Sequence, residues 1–455
     1  MQTAVSARLD ILAEKGRIMN KQQLSRRAFL KLAAASSSGI ALAGMGPLRN
    51  IAAAQDTVEL TFGRHWEAAF RPRQAEYDEG FMERHPDIKI NITYNTWADH
   101  NNVVPAWAAA GTLPDIIYVH GSRATPWAHE GIIIDIHDIV VADEEFNVEG
   151  MWEESVRLYR VNGRIHALPY DHGPIILGYN KDMFDAAGMD YPGEDWTMED
   201  FAEAARALTN PDAGVWGWDG RLDLGNGGSG FFLGAWGGAT MNDDESAMII
   251  DTPEAKEALD FWYNLTHNEN VGASGAEMEA FPNQQPFRFG VAAMGHIATW
   301  STPSMRAQAN FEWDVAPTPM GADGTRKTGA FGSGYGITPT SDKPDVAWRY
   351  LREYLSVDGM IFMWSLSGRG SPARPEGLEA WLTSDPAPPS GHYFLEAMFD
   401  YAVTGPPFQS LAAAQVSQIL SREANLLRLG EASVEEAIAT ITEEGNAALD
   451  AVADM

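Results

Sequence analysis

Between Val58 and Val119 strand-like and helix-like spacings of apolar residues take turns, and no other feature of the sequence restricts the fold as strongly. Val58-Glu59-Leu60-Thr61-Phe62 reads as a strand and is followed by a polar, aromatic turn, Gly63-Arg64-His65-Trp66-Glu67. The spacing then predicts a helix near Arg73 to Arg84, broken by Pro86, before Ile88, Ile90, Ile92 and Tyr94 recur at period two. A second helix is expected from Val103 to Ala110, ended by Gly111. Pro114-Asp115-Ile116-Ile117-Tyr118-Val119 follows as a strand whose apolar residues run without alternation, the pattern of a strand buried on both faces. Helices between successive strands imply parallel pairing and an α/β fold. Later helices are marked by caps: Thr197 with Asp200, Thr252 before Pro253, and Ser433 with Glu436.

A chain of 455 residues exceeds the roughly 250–300 at which one core stops growing, so at least two lobes are expected. Its 63 Asp+Glu against 32 Lys+Arg oppose the basic surface that nucleic acid or an anionic lipid headgroup would need. The chain has no cysteine, which removes disulfides, thiolate metal sites, cysteine nucleophiles and attachment of a lipid through an N-terminal cysteine.

The N-terminus has the order of an export signal. Ser25-Arg26-Arg27-Ala28-Phe29-Leu30-Lys31 reads as a twin-arginine motif, and a weakly apolar run from Leu32 to Met45 follows it. That run is too short and too rich in Ser and Gly to span a bilayer. Ala52-Ala53-Ala54 supplies a small-residue cleavage pattern, so residues 1–54 are expected to be removed between Ala54 and Gln55, leaving 24 basic against 61 acidic residues.

Several chemistries lack their signatures. The Gly-rich runs at 225–230 and 332–336 lack the Gly-Lys-Ser/Thr ending of a phosphate loop. There is no His-Glu-x-x-His and no Gly-x-Ser-x-Gly, so neither a metal centre nor an activated serine is expected. With 61 acidic residues in the exported chain, a pair of glycosidase carboxylates cannot be singled out. No cofactor and no enzymatic activity are expected.

Five segments together resemble one family. They are Pro114-Asp115-Ile116-Ile117, then Leu168-Pro169-Tyr170-Asp171 through Tyr179-Asn180-Lys181-Asp182 to Gly188 with the Trp196-Thr197 cap, then Ala292 to Trp300, then Gly332-Ser333-Gly334-Tyr335-Gly336-Ile337, then Ala347-Trp348-Arg349-Tyr350-Leu351. In this order they are similar to the extracellular solute-binding proteins of ABC sugar importers, the maltose-binding-protein-like family. The resemblance implies a type II periplasmic-binding-protein fold with two lobes, each a mainly parallel sheet flanked by helices, and three hinge crossings, near Asp171, Met294 and Gly334. It implies a first lobe of residues 55–169 plus 297–331 and a second of 170–296 plus 332–455. It implies a monomeric periplasmic protein that closes over a carbohydrate, an oligosaccharide by expectation, and hands it to ABC permease subunits after export by the Tat translocase.

In open parallel sheets, ligands sit outside the carboxyl ends of the strands. Those ends and the family's cleft positions give the expected contacts: Arg64, His65, Trp66, Trp97, His120, Ser122 and Arg123 from the first lobe, and Asp171, His172, Trp236, Trp300, Ser333 and Arg369 from the crossings and the second lobe. Sugars present flat C–H faces that stack on indoles, and hydroxyls that both donate and accept, so this residue set suits them. Arg64, His65, His120 and Arg123 leave open an anionic sugar or a glycerol phosphate ester. An exported polysaccharide-degrading enzyme is the alternative from another class.

Overall fold

The computed structural model describes residues 57–65, 70–222, 224, 231–281, 285–384, 387–404 and 409–453. The export segment, Trp66 and the Gly-rich run at 225–230 lie outside the described residues. Strand β1 (Val58–His65) pairs in parallel with β2 (Ile88–Asn95), in register from Val58 opposite Ile88 to His65 opposite Asn95. Helix α1 (Arg71–Arg84) crosses between them. Helix α2 (Trp97–Ala110) leads to β3 (Ile116–His120), every residue of which is buried. It begins ahead of the expected Val103 because Thr96 caps it: the Asp99 amide donates to the Thr96 hydroxyl at 3.1 Å. Gly111 ends it in the left-handed conformation, at φ 66°. Helix α3 (Gly121–His129) starts directly from β3, with His120 as its cap.

After a short hairpin of β4 (Arg160–Val161) and β5 (Arg164–Ile165), the long β6 (Leu168–Asn180) enters the other lobe. There α4 (Met198–Leu208), β7 (Trp216–Trp218), α5 (Pro253–Tyr263), β8 (Ala292–Ala298) and β9 (Trp313–Ala316) follow. Strand β10 (Thr328–Ile337) returns, α6 (Pro344–Tyr354) packs behind it, and β11 (Ala402–Thr404), α7 (Ala413–Leu429) and α8 (Val434–Asp450) complete the described chain. The expected capping boxes at Thr197/Asp200 and Ser433/Glu436 form, and Thr252 caps α5 with Pro253 in its first turn.

The strands run β2-β1-β3-β10-β6-β8-β7, with β11 on β10 and β9 on β6. Parallel pairs are β2-β1-β3 and β7-β8 at the two ends of the sheet and β10-β11 beside its middle. The crossing strands β6 and β10 run antiparallel to each other, to β3 and to β8 and β9, so the sheet is mixed where the lobes meet. Residues 168–174 of β6 pair with β10, and residues 175–180 pair with β8 and β9.

Four buried clusters line the two faces of the two sheet halves, and they revise the expected division of the chain. The first-lobe core holds Leu60, Phe62 and Ile116 together with Tyr335, Trp348, Tyr350, Leu351 and Trp364, so residues 335–373 pack there and not in the second lobe. In the other direction, Ile297, Met305 and Val315 share a core with Ile176, Phe287 and Trp381, and β9 pairs with β6 at Leu177 to Asn180. Residues 297–316 therefore stay with the second lobe. Met294 lies inside that lobe's other core, beside Trp218, not at a crossing. The chain passes between cores along β6, along β10 and between Ala373 and Leu378. Among the described residues no helix is long and apolar enough to cross a membrane.

Candidate functional site

The register of the strands places the expected contacts along one edge. Asn95 lies opposite His65 at the ends of β2 and β1, while Ser333 on β10 lies opposite His120 on one side and Asp171 on the other. The row Asn95, His65, His120, Ser333, Asp171 thus crosses the carboxyl ends of the parallel strands and reaches the strand that joins the lobes.

At its centre is a network that holds β3, β10 and β6 together. The Tyr118 hydroxyl and Ser333 Oγ are 3.1 Å apart, and the Ser333 amide donates to Asp171 Oδ1 at 3.0 Å. Asp171 Oδ2 accepts from the Arg369 guanidinium, both side chains being nearly inaccessible, at 6% and 4% exposure. The guanidinium also lies 5.4 Å over the Tyr170 ring. Arg369 is turned inward by its loop, where Gly370 sits at φ 72° with the Trp381 indole so close that a Cβ would meet it at 2.5 Å. Gly368 O accepts from Thr302 Oγ1 at 2.6 Å and from Trp381 Nε1 at 3.2 Å, tying the loop to the second lobe.

The aromatic wall at this edge is Trp97. It is 40% exposed, and its ring stands perpendicular to His120 at 6.0 Å. Ser122 Oγ lies 2.8 Å from His120 Nδ1, and the Ser122 amide points at the same nitrogen, so the proton of a neutral imidazole belongs on Nε2. Burial, helped by Arg123 and His65, pushes His120 down to about 3. His65 stacks edge-on to Tyr118 at 5.5 Å. Arg123, half-buried in the first turn of α3, makes no ion pair among the described residues, and burial lowers its pKa with Glu130 acting against.

Four of the expected contacts are placed elsewhere or used differently. Arg64 points into the first-lobe core, fully buried, donating to Gln74 Oε1 at 2.5 Å, to the Tyr354 hydroxyl at 2.8 Å and to the Tyr335 hydroxyl. Its guanidinium packs 4.9 Å from the rings of Phe62 and Tyr335. The reason is strand alternation: Phe62 faces this core, and Arg64, two residues on, faces the same way. His172 is buried under the crossing, where burial and then Arg157 push it down to about 4. Trp236 ends a short buried helix (Phe231–Ala235) and rests on Phe261 of α5, 4.9 Å away, flanking the second-lobe core. Trp300, half-buried, leaves β8 to stand edge-on to Phe331 of β10 at 5.9 Å, joining the first lobe's outer cluster.

Tyr118 and Phe331 were missed by the expectation. Tyr118 lies in an apolar run that reads as plain core and Phe331 directly precedes a Gly-rich run, and only the pairing of β10 with β3 and β6 brings them to this edge. Among the described residues no group of His, Asp and Glu is arranged to hold a metal ion.

The sequence profile described as bacterial extracellular solute-binding protein matches residues 65–361. An arabinooligosaccharide-binding protein of Halalkalibacterium halodurans is 23% identical over 339 residues, 71% of this chain and 72% of the relative. An sn-glycerol-3-phosphate-binding periplasmic protein of Shigella dysenteriae is 24% identical over 310 residues, 64% of this chain and 66% of the relative. Among solved structures, an ABC substrate-binding protein of Listeria monocytogenes in complex with cycloalternan superimposes with a TM-score of 0.79 at 24% identity, over 87% of this chain and all of that one. Maltose-bound MalE3 of T. maritima gives 0.71 at 21% identity, over 86% of this chain and 99% of that one. Both are type II periplasmic binding proteins, and the two-lobed fold is theirs.

Proposed function

We propose that this chain, which belongs to the bacterial extracellular solute-binding proteins, captures a neutral carbohydrate between its lobes and delivers it to the transmembrane subunits of an ABC importer. The observation that carries the reading is the fate of the cations at the edge described above. Arg64 is consumed by the first-lobe core, Arg369 is neutralised by Asp171, and His120 and His172 are uncharged at physiological pH. Arg123 apart, what remains is an exposed indole beside neutral donors and acceptors, which matches a sugar face and its hydroxyls. Binding proteins for arabinooligosaccharide, cycloalternan and maltose among its relatives and structural neighbours support the same class. The chemistry is capture: ligand bridges the lobes, closure buries it, and the closed form is read by the permease.

A second reading, an anionic sugar or glycerol phosphate ester, is favoured by Arg123, which makes no ion pair among the described residues, and by the glycerol phosphate relatives. Thermal shift and calorimetry with neutral di- to tetrasaccharides and with sn-glycerol 3-phosphate separate the two. A rise in melting temperature with a neutral sugar is the expected result. Stabilisation by the phosphate ester alone would reject the neutral reading, and cleavage of any oligosaccharide would reject pure binding. Trp97→Ala is expected to weaken sugar binding roughly ten- to hundredfold, about 1–3 kcal/mol, while the melting temperature of the free protein moves little, because the indole is exposed.

The export reading stands beside this one. Replacing Arg26 and Arg27 together by Lys is expected to abolish translocation, because twin-arginine recognition reads the guanidinium pair. Normal periplasmic accumulation of that variant would mark the segment as a general secretory signal.

A further inference from the structure

The chain enters its third passage between the lobes through a loop that is pinned to both of them. At the start of the loop Gly368 O accepts from Thr302 Oγ1 and Trp381 Nε1 of the second lobe. At its end the buried Arg374 guanidinium donates to Leu355 O at 2.8 Å, to Phe146 O at 2.7 Å and to Asn147 O at 3.3 Å, and packs 4.7 Å from the Phe146 ring, all in the first lobe. Between these anchors the loop is clamped to β6: the His172 amide donates to Ser371 O and the Ala373 amide to Tyr170 O, each at 3.0 Å. Ser371 is the strained residue of the span, at φ 44°. Left-handed backbone is disfavoured for a residue with a Cβ, and the other two left-handed positions of the loop, 368 and 370, are glycines. Pro372 adds a second constraint, because its ring pushes the preceding residue towards extended backbone. The side chain adds a third. It is 1% exposed, and its hydroxyl has no hydrogen-bond partner among the described residues. It lies against Gly173 of β6, where a Cβ would meet Ser371 Oγ at 3.2 Å and run into Thr299 Oγ1. The other non-glycine residues at positive φ among the described residues are compensated: Asn147, Asn162 and Asn270 are of the type that tolerates it, and the Glu245 carboxylate is held by the Gln409 and Ser410 amides.

We infer that Ser371 is a strained pivot: its strain is stored in the lobe arrangement described here and released when the lobes rotate about the span from Gly368 to Arg374, so the residue biases the ligand-free protein away from this arrangement. A backbone outlier that nothing local compensates persists only where its surroundings over-determine it, and such outliers gather at switch regions. Here the surroundings are anchors on two separate bodies, Thr302 and Trp381 on one and Leu355 and Phe146 on the other. A change in the angle between those bodies is taken up by the dihedrals between the anchors. The glycines of the span are indifferent to the sign of φ, whereas Ser371 gains by leaving its present value. The strain therefore acts in one direction. Ligand affinity depends on the free-energy gap between the arrangement a ligand selects and the one it leaves, so residue 371 tunes affinity without touching ligand.

The chain has no cysteine, so a pair of nitroxide labels can be attached without background. Glu79→Cys on α1 and Glu443→Cys on α8 put exposed labels on the first and second lobes, and double electron–electron resonance on the ligand-free protein reads the distance between them. Ser371→Gly is expected to raise the population at the distance of the described arrangement, relative to the rest, by roughly five- to thirtyfold. The melting temperature is expected to rise as well, although glycine in place of serine ordinarily lowers it by loosening the unfolded chain. Ser371→Ala removes the stranded hydroxyl and keeps the Cβ, so it is expected to leave the distribution where the parent has it. A higher melting temperature for Ser371→Gly with an unmoved distribution overturns the pivot, because the strain is then confined to the loop. A lower melting temperature with an unmoved distribution overturns the strain itself. Equal shifts in the Gly and Ala variants overturn the backbone as its source. No ligand enters the measurement, so the carbohydrate reading stands or falls separately.

Discussion

Arg64→Ala is expected to destabilise the protein by about 3–5 kcal/mol, read as a fall in the denaturant midpoint, while the surviving folded fraction binds ligand normally. The side chain is fully buried, and its removal leaves a cavity between Phe62, Tyr335 and Tyr354, takes the Arg64 donor from two tyrosine hydroxyls, and leaves the Gln74 carbonyl with the Tyr354 hydroxyl alone. The deficit is also expected to depend on pH. Burial pushes the nearby Asp78 carboxyl up to about 6, opposed by hydrogen bonds from Tyr350 and Gln74 and by the Arg64 charge. A carboxyl whose folded pKa is raised holds its proton longer folded than unfolded, so its contribution to stability falls as pH rises from about 4 through about 6. Without Arg64 that pKa rises further, and the loss should be larger at pH 8 than at pH 5. A stable variant with impaired binding would return Arg64 to the ligand site.

Arg369→Ala is expected to cost a similar amount, about 3–5 kcal/mol, for a different reason. It leaves the Asp171 carboxylate inaccessible and without its cation, and breaking a buried pair from one side costs more than the pair contributes. Ligand affinity should fall as well, because Asp171 also holds the Ser333 amide, and through Ser333 the Tyr118 hydroxyl, at the strand edge. The double variant Asp171→Asn, Arg369→Gln is expected to recover part of the stability, since two neutral amides remove the stranded charge. Equal stability of the single and double variants would mean that the pair is not coupled. Denaturation of both variants at pH 7, with calorimetry on each, reads both effects.

These two arginines also mark where the sequence stops being legible. The strands at 58–65, 88–95 and 116–120 and the caps at Thr197, Thr252 and Ser433 could be read because each depends on residues a few positions apart. Trp97 and His120 could be placed at the edge because a parallel strand's carboxyl end is fixed once the strand is. Trp236 and the division of the chain at residue 297 could not. An indole after a buried helix points wherever the next helix lies, and the segment after β8 follows the strand it pairs with, which is β6.

The fold class, the first three strands and the capped helices were legible in one dimension, since hydrophobic period and cap chemistry are local, and the family was legible from five motif segments; the strand order of the sheet was not. What the polar side chains do is set by contacts between distant segments. Arg64 binds Tyr354 across 290 positions, and Arg369 meets Asp171 across 198. Whether a cation at the end of a strand faces ligand or core depends on what a distant segment places opposite it. Desolvation then makes the outcome decisive, because a buried charge is held by its partner or not tolerated at all.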